Sequence, residues 1–170
     1  MNLKSIITET ADWPKPGINF LDIIPILETP LAFDYCVKQF MPFAEQSSSI
    51  VAIESRGFPI GAVLAQQLKL PLVLVRKPNK LPRPVYSQSY TTEYSTDSVE
   101  IKQSANVRDY PLIVDDLLAT GGTVTAAADL LKNNFAVNLV RCAVIINLSF
   151  LPGAELLKQN QIELLSLETY

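Results

Sequence analysis

From Ser49 onward, short apolar runs rich in β-branched residues alternate with stretches at helical spacing, and this alternation constrains the fold more than any other feature. Strands are expected at Ile50 to Ile53, Leu72 to Val75, Leu112 to Val114, Leu139 to Ile146 and Ile162 to Leu167. Their unbroken apolar character is that of strands covered on both faces. Helices fit between them at Phe58 to Leu68 and Val124 to Asn133, with a shorter one at Ala154 to Gln159. The reading is an α/β fold: a central, mostly parallel sheet flanked by helices.

The 170 residues suit one domain, and no repeat, low-complexity tract or proline-rich linker divides them. Ser5 to Thr10 and Leu31 to Phe43 read as helical. They are separated by a segment through Trp13, Pro14, Pro16 and Gly17, so residues 1 to about 30 are expected to form a small N-terminal cap. Lys77 to about residue 98 differs from the rest. It carries Pro78, Pro82, Pro84, Tyr86, Tyr90, Tyr94 and many hydroxyls without helical period, as a flexible binding loop would.

Composition removes several classes of function. A formal net charge of −3 argues against a broad nucleic-acid footprint, so an anionic ligand would have to be held locally. Lys4, Glu9 and Asp12 interrupt any signal-like stretch, and the apolar run that begins at Cys142 ends by Asn147, far short of a membrane span. Cys36 and Cys142 each lie among apolar residues and read as buried, reduced thiols. A soluble cytoplasmic protein is expected, with no membrane partner. The chain has no histidine, so proton transfer near neutral pH falls to a carboxylate, lysine, tyrosine or water.

The most informative stretch is Leu112-Ile113-Val114-Asp115-Asp116-Leu117-Leu118-Ala119-Thr120-Gly121-Gly122-Thr123, followed at once by a helical pattern. A helix N-terminus presents unpaired amides and a positive dipole end, and glycines let the backbone wrap closely around a phosphate. Thr120 and Thr123 add hydroxyl donors. Two adjacent carboxylates can each accept a hydrogen bond from a vicinal diol, so the implied ligand is a ribose 5-phosphate. Taken separately, the acids also suit a cap and the glycines an ordinary turn. Their combination at one junction favours the ligand, and the missing lysine excludes a Walker phosphate loop. Glu54-Ser55-Arg56-Gly57-Phe58 likewise ends a strand and opens a helix, so the two turns are expected to share one crevice at the same sheet edge.

The Asp115 to Thr123 stretch resembles the phosphoribosyl pyrophosphate signature of the type I phosphoribosyltransferases, in the wording of the adenine phosphoribosyltransferases. Pro14 to Ile23, Glu54 to Phe58, Arg76 to Pro82 and Glu93-Tyr94 match the family's patterns in order. The resemblance implies a type I phosphoribosyltransferase fold with substrate-binding residues Asp115, Asp116, Ala119, Thr120, Gly121, Gly122 and Thr123 for the ribose phosphate. It implies Ser55 and Arg56 as a pyrophosphate loop, with Arg76, Lys77 and Lys80 approaching the same group, either within the chain or across a dimer interface. Phe20 would stack on the base with Leu117 on the opposite face, while backbone groups near Asn19 and Leu21 read the base edge. Glu93 would be the general acid/base at N7, and Tyr94 would help close the site.

The chemistry so implied is AMP and pyrophosphate formation from adenine and phosphoribosyl pyrophosphate in purine salvage, with Mg²⁺ bound mainly through substrate phosphates and water. A homodimer is implied as well. The family commonly has arginine where this chain has Leu21, and glycine where it has Arg83 and Ser95. These departures bear on base choice and loop motion, so xanthine or hypoxanthine as the base stays open. So does a non-catalytic regulator that binds phosphoribosyl pyrophosphate.

Overall fold

The computed structural model describes residues 1–13, 15–91 and 96–170. Its centre is a five-stranded parallel sheet in the order β4-β3-β7-β8-β9. The strands are β3 (Ser49–Ile53), β4 (Leu72–Val75), β7 (Pro111–Leu118), β8 (Arg141–Asn147) and β9 (Glu163–Thr169). Every residue of β3 and β8 is buried, the sequence consequence of having helices on both faces. One face packs against α1 (Ile24–Glu28), α2 (Pro30–Ala44) and α3 (Gly57–Leu68), through Ile26, Cys36, Phe40, Ile60 and Leu64. The other packs against α4 (Gly122–Asn134) and α5 (Gly153–Gln159), through Ala127, Leu130, Leu131 and Leu157.

The chain leaves β3 for β4 on one side and later returns to β7 on the other. The strand order therefore reverses between β3 and β7. Loops at the C-terminal ends of strands flanking such a point diverge and leave a crevice, which is where ligands settle in open α/β sheets.

Three expectations need correction. Ser5 to Thr10 is not a helix: a 3₁₀ turn at Leu3–Ser5 precedes β1 (Thr8–Thr10), which pairs antiparallel with β2 (Phe20–Asp22). Its Thr-Glu-Thr sequence has little helical preference, and a distant partner strand decided its state. The Lys77 to 98 stretch is not all loop. It contains β5 (Val85–Thr91) and β6 (Thr96–Lys102), an antiparallel pair in register from Val85↔Lys102 to Thr91↔Thr96. Its serines and tyrosines dilute the apolar alternation that announces a strand. Third, β7 runs through Asp115 and Asp116 to Leu118, so the acids lie within the strand rather than beyond its end.

Candidate active site

The ends of β3 and β7 frame a cavity of about 490 Å³ whose wall includes Ser55, Arg56, Lys77, Asp115, Asp116 and Thr123. Arg76 and Leu117 complete the expected residues found there, and Glu54, not expected in the site, joins them. The two turns predicted to share a crevice do share one.

At the β3 end the chain turns directly into α3. Gly57 is required because a Cβ there would stand 2.5 Å from the Val114 carbonyl oxygen of β7. Glu54 is fully engaged: it accepts from Arg76 Nη2 at 3.1 Å, from Arg76 Nε at 3.3 Å and from the Lys77 amide at 2.9 Å. The Arg76 hydrogen bond is the largest reason its pKa falls below the ordinary carboxylate value, with the Lys77 amide adding to the effect and burial opposing it. Arg76 also donates to the Lys80 carbonyl at 3.1 Å. Arg76 thus ties the basic loop to the sheet. The Lys80 side chain is exposed and lies outside the crevice wall.

At the β7 end the electrostatics are opposite. Asp116 is 5% exposed, and its nearest cation is Arg56, whose Nε lies 2.6 Å from Asp116 Oδ2. The pair is a charge contact without the alignment of a hydrogen bond, so Oδ2 is left without a hydrogen-bond partner among the described residues. Burial first, then the Asp116 charge, pushes the Asp115 carboxyl well above its usual pKa, and Arg56 offsets this only in part. Asp115, close beside Asp116, is held in a place that disfavours its charge. Such a site gains most from a ligand that donates hydrogen bonds or brings a cation.

Ala119, Thr120, Gly121 and Gly122 form the turn that follows. Gly121 has φ +83°, a left-handed conformation that favours glycine, and among the described residues no side chain caps α4. The first amides of α4 are therefore open to an anion. Thr123 Oγ1 donates to Tyr90 Oη at 3.0 Å.

Phe20 in β2 approaches the crevice through Arg56, whose guanidinium carbon is 5.4 Å from the Phe20 ring centre. Trp13 supports the ring from another side, edge-on at 4.4 Å between centroids. Asn19 immediately precedes the strand. Leu21 is buried in the core among Ile23, Ile26 and Ile7 rather than standing in the crevice wall. Glu93 and Tyr94 lie outside the described residues, as does Ser95. The sequence reading missed Tyr90, Asp97 and Ser98, which line the crevice from the β5–β6 pair. Their signal was the in-register pairing of Tyr90 with Asp97, which is invisible before the hairpin is recognised.

Residues 36–160 match the phosphoribosyl transferase domain family. The chain is 46% identical over 168 residues to the adenine phosphoribosyltransferase of Acaryochloris marina, covering 97% of this chain and 98% of that one. Its fold superposes on the adenine phosphoribosyltransferase of Thermoanaerobacter pseudethanolicus with a TM-score of 0.90 and 39% identity, over 99% and 98% of the two chains. The Saccharomyces cerevisiae adenine phosphoribosyltransferase, solved with adenine and an imino-altritol bisphosphate, gives a TM-score of 0.89 and 32% identity over 98% and 96%. With the paired acids, the open helix start and the switch-point crevice all in place, the chain belongs to the phosphoribosyltransferase family, among the adenine phosphoribosyltransferases.

Proposed function

We propose that the crevice transfers the phosphoribosyl group of phosphoribosyl pyrophosphate to adenine, forming AMP and pyrophosphate in purine salvage. The observation that carries this reading is the Asp115–Asp116 pair, Asp116 buried and Asp115 half-buried, near the end of the strand that leads through the Ala119 to Gly121 turn into an uncapped, glycine-led helix. The pair suits the ribose diol, and the turn from Ala119 to Thr123 suits the 5-phosphate. Ser55 and Arg56, with Lys77, would take the pyrophosphate, a guanidinium matching paired phosphate oxygens; Lys80, outside the wall of this crevice, would reach that group only across the proposed dimer. Arg76 would act mainly by holding the basic loop in place.

Adenine would lie between Phe20 and Leu117. Because the Leu21 side chain is turned into the core, the base edge would be read by backbone groups from Asn19 to Leu21. On that reading a side-chain change at position 21 is tolerated. In the reaction a bond forms between N9 of adenine and the anomeric carbon while the bond from that carbon to pyrophosphate breaks. Positive charge grows on the purine, and Glu93 would receive its proton, with Tyr94 closing the site.

Mg²⁺ fits this donor set. The ion would be held mainly by substrate oxygens and water, beside the carboxylates that line the crevice. When bound it would neutralise the leaving pyrophosphate. The proposal includes a homodimer and a cytoplasmic location; the two free, buried thiols accord with a reducing compartment.

The test is incubation with phosphoribosyl pyrophosphate, Mg²⁺ and a panel of purine bases, with products identified by mass. AMP from adenine, in preference to the nucleotides of hypoxanthine, xanthine and guanine, is the expected result. A preference for a 6-oxopurine would overturn the assignment of the base, and binding of phosphoribosyl pyrophosphate without turnover would indicate a sensor.

A further inference from the structure

Tyr90 is absent from the sequence-derived site, yet its surroundings are those of a ligand contact. It sits on β5 with its ring over the start of α4: a Cβ placed on Gly122 would meet Tyr90 Cδ2 at 3.1 Å. Its hydroxyl accepts from Thr123 Oγ1 at 3.0 Å. A phenol that accepts in this way still has its own proton to give. Burial is the largest influence on Tyr90 and raises its pKa; the Thr123 bond opposes this, and Asp97 and Asp115 add to the rise. The phenol is therefore a protonated donor at neutral pH. Without ligand, Asp97 across the hairpin is the neighbouring acceptor. A phosphate on the turn would compete for the same proton.

We propose that Tyr90 is a further substrate-contacting residue: its hydroxyl, braced by Thr123, donates to a phosphomonoester seated on the Ala119 to Thr123 turn. This rests on the reading of that turn as the 5-phosphate subsite. The consequence is specificity. Tyr90 helps distinguish a phosphorylated ribose from an unphosphorylated one, and it does so from a different strand pair than the turn itself.

The experiment is calorimetric titration of wild type and Tyr90→Phe with two probes, ribose 5-phosphate and inorganic pyrophosphate. Phenylalanine keeps the ring over Gly122 and removes only the hydroxyl, and a thermal melt checks that the variant is folded. Loss of a hydrogen bond to a charged group should weaken ribose 5-phosphate about tenfold or more, leaving pyrophosphate within about twofold. In steady state, KM for phosphoribosyl pyrophosphate should rise more than kcat falls. Unchanged ribose 5-phosphate affinity would overturn the proposal, as would equal loss for both probes, which marks general disruption.

Thr123→Val adds a second check. If Thr123 braces the phenol, Tyr90→Phe should cost much less in that background, and full additivity would remove the bracing. If the wild type itself bound no ribose 5-phosphate, the phosphoribosyl reading would fall and Tyr90's role with it. Wild-type binding with an unaffected Tyr90→Phe would dispose of Tyr90 alone.

Discussion

Glu54 and the pair Asp115–Asp116 stand at the same edge of the same sheet, at the ends of neighbouring strands, yet Glu54 and Asp115 are pushed in opposite directions. Glu54 has two hydrogen bonds from Arg76 and one from the Lys77 amide, so its charge is stabilised and its pKa lowered. Asp115 is raised by burial and by Asp116, and Asp116 retains an unpartnered oxygen. An acid whose partners are internal holds the fold. An acid pair left with an open hydrogen-bonding oxygen and a disfavoured charge has more to gain from a ligand.

The largest expected effect tests the second half of that contrast. Changing Asp115 and Asp116 together to asparagine removes two charged acceptors for the diol, each worth roughly 1.5–3 kcal/mol. kcat/KM for phosphoribosyl pyrophosphate should fall by about 10²–10⁴-fold. The melting temperature should hold or rise, since the change also removes buried repulsion. Unchanged kinetics would reduce the pair to a structural turn.

Glu54→Gln should do the reverse, lowering stability first and activity only through the displaced basic loop. The pair with Arg76 is neither fully buried nor freely exposed. Its loss should cost on the order of 1–2 kcal/mol, between the surface and buried limits, or about 2–8 °C in Tm for a chain this size. A larger loss of kcat/KM than of stability would give Glu54 a direct part in binding and collapse the comparison.

The smallest effect is in the pH dependence, where the signs should oppose. Glu54 has a lowered folded pKa, so its contribution is present above its unfolded value of about 4.5 and is lost as pH falls through the folded value. Asp115 has a raised folded pKa, so the folded state binds the extra proton and stability declines as pH rises above the unfolded value of about 3.8 toward the folded one. Melting curves of ligand-free Asp115→Asn and Glu54→Gln against wild type, from about pH 2 to pH 7, measure this. The glutamate variant's difference from wild type should be negative, growing with pH only up to about its unfolded value of 4.5 and then levelling off, whereas the aspartate variant's should be positive and grow as pH rises above about 3.8. Parallel curves would show that the two acids share one environment.

Much of this molecule is legible in order along the chain. The apolar runs of β3, β7 and β8 are buried on both faces by their own composition, and the two-glycine turn before α4 satisfies a local backbone need at Gly121. Both are nearest-neighbour properties, so reading them requires no knowledge of distant residues. The β5–β6 pair and β1 were not legible in that way. Their polar alternation has no stable state until a partner strand supplies hydrogen bonds.

The amino-acid order by itself determined the α/β class, the position of the ribose-phosphate turn and the chemistry its acids and open amides can offer, because each is written within a few consecutive residues. Only the tertiary structure decided which carboxylates are free for a ligand, that Leu21 turns into the core while Arg56 stands over Phe20, and that Tyr90 reaches Thr123 from a distant strand. Those depend on burial and on hydrogen bonds between segments far apart in sequence, and the free energy of a charge or a hydroxyl is set by what surrounds it in space.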